Sequence, residues 1–262
     1  MSVLRPAFPL VVMSLFWLIA SWCSAEGTDF RIETSVYIGH ETKPASRLLT
    51  LFDNTQVYDF PVNQSGDIVI LDSKQNRFTL FSQTRGEHTL VTTKRLLKHE
   101  QTVERHIQRD NIPSWFRELA QPKFDLVTDG SKPFLKLTGN AVNYEVHGTK
   151  FKDDASLQLY FLFANATTRL NYFLMNWPPQ ARLSLNQEML ARRVMPASVL
   201  LSINSRSTSS TPLPDNSRYH QKAKHHVEWH LTKDDRKKIA QVKRNVSQSE
   251  MVSFDQFLAA TR

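Results

Sequence analysis

The chain has 262 residues, a hydrophobic content of 40% and a formal net charge of +8, which suits one domain with a short extension. Seven glycines and one cysteine leave no G-x-G-x-x-G or Walker-type loop, no G-x-S-x-G elbow and no H-E-x-x-H helix, so phosphate-loop enzymes, elbow-type serine hydrolases and zincins are unsupported. Serine, histidine and aspartate are all present, but their presence alone defines no triad.

Residues 1–25 read as a secretory signal peptide. Arg5 supplies the positive end, Leu10 to Trp22 the apolar run, and Cys23-Ser24-Ala25 the small-residue cleavage site. The alternatives are an uncleaved anchor, or a lipid on Cys23. The apolar run is too short to span a bilayer core, so the mature chain is not expected to be an integral membrane protein. Cleavage after Ala25 removes one basic residue, Arg5. It leaves 32 basic against 25 acidic side chains, a net +7, and no thiol. The mature protein is therefore expected in the periplasm or outside the cell, held by its own core without disulfides. A basic exported surface fits an anionic polymer or lipid head groups, and nucleic acid is not an expected partner there. The sequence implies no cofactor.

Residues 26–262 read as a single α+β domain. "FRIETSVYIG" alternates, with Phe30, Ile32, Val36 and Ile38 inward and a phase slip near Thr34. "RLLTLFDNTQVYDFPV" gives two strands around a turn at Asp53-Asn54. "DIVILDSKQNRFTLFSQTR" repeats that form with a turn at Asp72 to Asn76, and "EHTLVT" adds another strand. Short polar turns between consecutive strands make an antiparallel β-meander. Leu96, Val103 and Ile107 then share one face of a helix capped by Thr92 or Thr93 and limited by Pro113. Residues 123–151 return to strands, with turns at Asp129-Gly130 and Gly139-Asn140.

The segment near 154–175 predicts a helix that is apolar nearly all round, hence buried or lying in an apolar groove. Its aromatic residues Tyr160, Phe161, Phe163, Tyr172 and Phe173 are either candidate lining for an apolar ligand or simple core filling. Ser184 and Gln187 match a capping box for a following helix ended by Pro196. "SVLLSI" reads as a buried strand, and the Ser/Thr/Pro-rich stretch near 204–224 as a mobile polar loop or hairpin tip.

"HHVEWH" then reads as a strand over 226–231. Alternation puts His225, Val227, Trp229 and Leu231 on one face and His226, Glu228 and His230 on the other. That second set is a candidate metal site by residue type, or a wet outer face. Thr232 caps a helix with Asp234 and Asp235 in its first turn, and Ser253 with Gln256 repeats a capping pattern at the end.

The blocks "SRLLTLFDNTQVYDF…DIVILDSKQNRFTLF…TTKRLL" and "RLNYFL…PPQARLSLNQEMLARRVMPASVLLSI" resemble a group of secreted proteins of planctomycete-type bacteria, from which no activity or catalytic residue carries over. The strand succession is also similar in style to the LolA/LolB type. That resemblance implies a curved antiparallel sheet packed with interleaved helices and a hollow for lipid chains. The expected function is that of an exported envelope protein binding an apolar ligand, such as a lipid, or a protein partner. The alternatives are a hydrolase with dispersed site residues, and a basic module that holds anionic polymer through Arg206, Arg218, Lys222 and Lys224.

Overall fold

The computed structural model describes residues 28–62, 66–107, 114–175, 178–203 and 220–260. The signal segment, Cys23 and residues 204–219 of the expected loop, Arg206 and Arg218 included, lie outside them. The chain opens with a six-strand meander: β1 (Phe30–Ile38), β2 (Ser46–Asp53), β3 (Gln56–Val62), β4 (Ile68–Asp72), β5 (Arg77–Ser82) and β6 (Glu87–Thr92). Two of its turns place asparagines in the left-handed region, Asn54 at φ 55° and Asn76 at φ 49°, where asparagine is tolerated better than most residues. Helices α1 (Thr93–Ile107) and α2 (Ser114–Ala120) lead into a second meander, β7 (Asp125–Asp129), β8 (Phe134–Thr138) and β9 (Val142–Lys150). Helices α3 (Asp154–Met175) and α4 (Gln180–Ala191) follow, then β10 (Val194–Ile203), β11 (His220–Glu228), α5 (Lys233–Gln248), β12 (Glu250–Met251) and α6 (Phe254–Ala259).

Among the described residues the strands form one open, curved α+β sheet in the order β12-β6-β5-β4-β3-β2-β1-β11-β10-β9-β8-β7. Every neighbouring pair is antiparallel except β12 with β6. β11 joins the two meanders, because Thr34 of β1 pairs with His225 and Val199 of β10 pairs with Ala223. Alternation then sorts the sheet into two faces. The inner face carries Phe30, Ile32, Phe52, Val57, Leu71, Phe78, Tyr144 and Val199 against α3, α4 and α6. The outer face carries Leu49, Leu51, Tyr58, Ile68 and Ile70 against Ile239 and Val242 of α5.

α5 is held where the capping pattern puts it. The Thr232 hydroxyl accepts from the Asp235 N–H at 3.1 Å, and the Asp235 carboxylate accepts from the Thr232 N–H at 2.9 Å. Arg31 Nη1 of β1 donates to the same carboxylate at 3.2 Å. Asp153 caps α3 through the Ser156 N–H at 2.7 Å, and Ser253 caps α6.

Four expectations are corrected. β1 has no phase slip: Thr34 is a buried member of the inward row. α4 begins at Gln180 rather than after Ser184, because Pro178-Pro179 presets the backbone for a helix start that needs no side-chain cap. α4 ends at Ala191, and Pro196 sits inside β10, where the register to β9 shifts between Pro196 and Ser198. A proline without an N–H is accommodated at such an irregularity. Residues 220–224, expected in the polar loop, are the first half of β11, which ends at Glu228 rather than Leu231.

Candidate functional site

A hollow of about 760 Å³ lies between the inner face of the central strands and residues 160–175 of α3. Clefts of about 300–1,000 Å³ are the usual size for small-molecule sites. β1 lends Ile32, Thr34 and Val36, and β2 lends Leu48, Thr50 and Phe52. β10 adds Val199 and Leu201, and β11 adds Ala223 and His225. α3 roofs it with Tyr160, Phe163, Ala164 and Thr167, and the turn into α4 closes one end with Pro178, Pro179 and Arg182. No helix among the described residues is long and apolar enough to cross a membrane.

Two polar pairs interrupt the apolar wall. Thr50 donates to Asp59 Oδ1 across β2–β3 at 2.7 Å. Thr34 Oγ1 and His225 Nδ1 lie 2.9 Å apart across β1–β11. Both ionisable groups line the hollow and are half-buried. Desolvation raises the Asp59 carboxyl to about 6, against a smaller lowering by the Thr50 hydrogen bond. Desolvation lowers the His225 imidazole to about 4, and the Arg182 charge lowers it further. Burial also raises the phenols of Tyr144 and Tyr160, with Arg182 opposing.

The five aromatic residues singled out on α3 separate by position. Tyr160, Phe163 and Tyr172 line the hollow. Phe161 is buried against Phe151, ring centroids 5.8 Å apart. Phe173 packs on His99 of α1 and Phe254 of α6 at 4.7 and 5.1 Å. The helix thus supplies both lining and core, split by its own periodicity. Glu100 of α1 fixes its orientation by accepting from Arg169 Nε at 2.7 Å.

His226, Glu228 and His230 do not converge. His226 Nε2 is 3.6 Å from Glu228 Oε1 on the outer face, and His230 lies past the end of β11. Among the described residues no three metal-ligating side chains stand close enough to hold an ion. Their neighbours on the inward phase behave as alternation predicts: His225 enters the hollow, and Trp229 packs on Phe30 with centroids 5.4 Å apart. Lys222 and Lys224 are exposed on the outer side of β11, Lys224 Nζ 5.2 Å from the Tyr37 ring.

Sequence patterns alone did not single out Thr34, Thr50, Asp59 or Arg182. The first three were findable as polar residues on the inward phase of apolar strands. Arg182 was hidden by the late start assigned to α4.

No protein-family profile and no curated protein matches the chain, so the resemblance to the planctomycete-type group gains no support from either. Among solved structures, a LolA superfamily protein from Nitrosomonas europaea matches at 4% identity and a TM-score of 0.32. The match covers 80% of this chain and 89% of that one.

Proposed function

We propose that this protein binds an apolar small molecule in the hollow under the central strands, as an exported binding or carrier protein rather than a catalyst. The observation that carries the reading is the hollow itself, walled mainly by aliphatic and aromatic side chains and large enough for a lipid chain. An apolar space of this size in a folded protein forfeits packing along its lining, and an apolar occupant restores it.

The polar pairs do not favour hydrolysis. A general base works best near the operating pH, whereas His225 is held at about 4. Asp59 bonds Thr50, not His225, so among the described residues no carboxylate orients the imidazole. Export remains the reading of residues 1–25, and a partner in the envelope belongs to the same proposal.

The test is binding of Nile red, an uncharged dye that brightens in apolar sites. We expect saturable enhancement with the wild-type protein. An Ala223→Trp variant, which fills the hollow from β11, loses at least tenfold in affinity while melting cooperatively. A wild-type protein that leaves the dye dark sinks the reading.

A further inference from the structure

The hollow is not uniformly apolar, and the exception has a chemistry of its own. Arg182 sits at its α4 end, half-buried, and among the described residues it makes no hydrogen bond and no ion pair. A guanidinium carries five donors and is never deprotonated in a protein. Half-buried in the lining and unpaired among the described residues, it is a ready partner for an anion. Its charge acts on His225, Tyr144 and Tyr160, which places it at the β9–β11 side. The carboxyl group of the lining, Asp59, is on β3. β11 lies three strands away, about 14 Å at ordinary strand spacing, and Arg182 is not among the groups acting on Asp59. Asp59 therefore does not neutralise it.

Two further polar atoms of the same lining are buried without a partner among the described residues: His225 Nε2 and Thr167 Oγ1. When the Thr34 hydroxyl donates to His225 Nδ1, the ring proton resides on Nε2, a donor that lacks an acceptor. Buried polar atoms are nearly always satisfied. A cation, an N–H and a hydroxyl in the wall of one apolar hollow share one complement, an acceptor-rich anionic head on an apolar tail.

We infer that the hollow takes an amphiphile with a single aliphatic tail and a carboxylate head, a long-chain fatty acid, with the carboxylate paired to Arg182. This rests on the apolar-ligand reading above and narrows it to a substrate class. The tail runs along Ile32, Val36, Phe52, Phe163, Val199 and Leu201, and the carboxylate, bidentate on the guanidinium, has His225, on which the Arg182 charge acts, as a further donor.

The experiment is displacement of bound Nile red by palmitate, hexadecan-1-ol and hexadecyl phosphate from the wild-type protein, Arg182→Gln and Arg182→Lys. From the wild type, palmitate should displace the dye at a concentration at least tenfold below that of hexadecan-1-ol. Arg182→Gln should bring palmitate to the level of the alcohol and leave the alcohol unchanged, and Arg182→Lys should keep part of the preference. Equal displacement by palmitate and the alcohol overturns the carboxylate inference yet leaves the apolar reading standing. A preference for palmitate that survives in Arg182→Gln overturns the role of Arg182. Hexadecyl phosphate winning tenfold over palmitate replaces the carboxylate with a phosphate head. Failure of the wild type to bind the dye or any of the three ligands removes the underlying reading instead. Should Arg182→Gln show no cooperative melt, the wild-type ligand ratio and Arg182→Lys decide the matter.

Discussion

Asp59 and His225 line one hollow and answer acid in opposite senses. Asp59 has a native value raised to about 6 from an ordinary aspartate value near 3.8, so between those values the native state holds the extra proton. Stability from this group is full below about pH 3.8 and is lost as pH rises through 6. His225 has a native value lowered to about 4 from an ordinary 6.5, so between those values the unfolded state holds the extra proton. Its contribution is full above about pH 6.5 and is lost as pH falls through 4. Each pH unit between a group's native and unfolded values corresponds to about 1.4 kcal/mol. Discounted for water in the hollow, each group is worth about 1–3 kcal/mol. The windows overlap and the slopes oppose, so the wild type conceals both. Asp59→Asn should be more stable than wild type at pH 8 and no more stable at pH 4. His225→Gln should gain on wild type as pH drops from 7 to 4. Urea midpoints across pH 4–8 measure both differences, and two flat difference curves would contradict the burial of these groups.

At the scale of elements, α5 gives the cleanest test of sequence against structure. Its N-cap Thr232 and the first-turn acids Asp234 and Asp235 follow from local rules, and the structure has each in place. The joint at Asp235 was not legible, because Arg31 lies 204 residues away in sequence and reaches it only through the fold. Thr232→Ala should therefore cost about 1–2 kcal/mol, since it removes the cap and one donor to a carboxylate that is 2% exposed. Thr232→Ser should recover most of that. A midpoint shift in urea equivalent to under about 0.3 kcal/mol for Thr232→Ala would mean that Arg31 and the backbone N–H of residue 232 suffice to secure the helix start. α4 shows the opposite case. The Ser184–Gln187 pattern is a sound local signal, but Pro178-Pro179 one turn earlier starts the helix first, and that early turn carries Arg182. The strands were legible wherever period 2 was clean. The pairing of the hollow's polar residues was not, because Thr50 finds Asp59 and Thr34 finds His225 only once the register is set.

Across the whole molecule, the β10–β11 hairpin makes one sheet out of two meanders, and its contact with β9 leaves no room for a side chain at Gly148. A Cβ there would stand 2.5 Å from the Met195 carbonyl oxygen and 2.4 Å from Val194 Cγ1. Backbone cannot yield as a side-chain tip can, so Gly148→Ala should destabilise the fold by about 2 kcal/mol or more and weaken dye binding in proportion. The same hairpin carries Val199, Leu201, Ala223 and His225 into the hollow, so ligand and sheet closure are linked. A ligand that binds only the folded state stabilises it by about 2.7 kcal/mol at one hundred times its Kd. At about 2–4 °C per kcal/mol for a domain of this size, Tm should rise by roughly 5–10 °C in saturating palmitate. The Ala223→Trp variant should show no rise, because its hollow is already occupied. A rise of equal size in both would place the fatty acid on the surface rather than under the sheet, and differential scanning calorimetry separates the two.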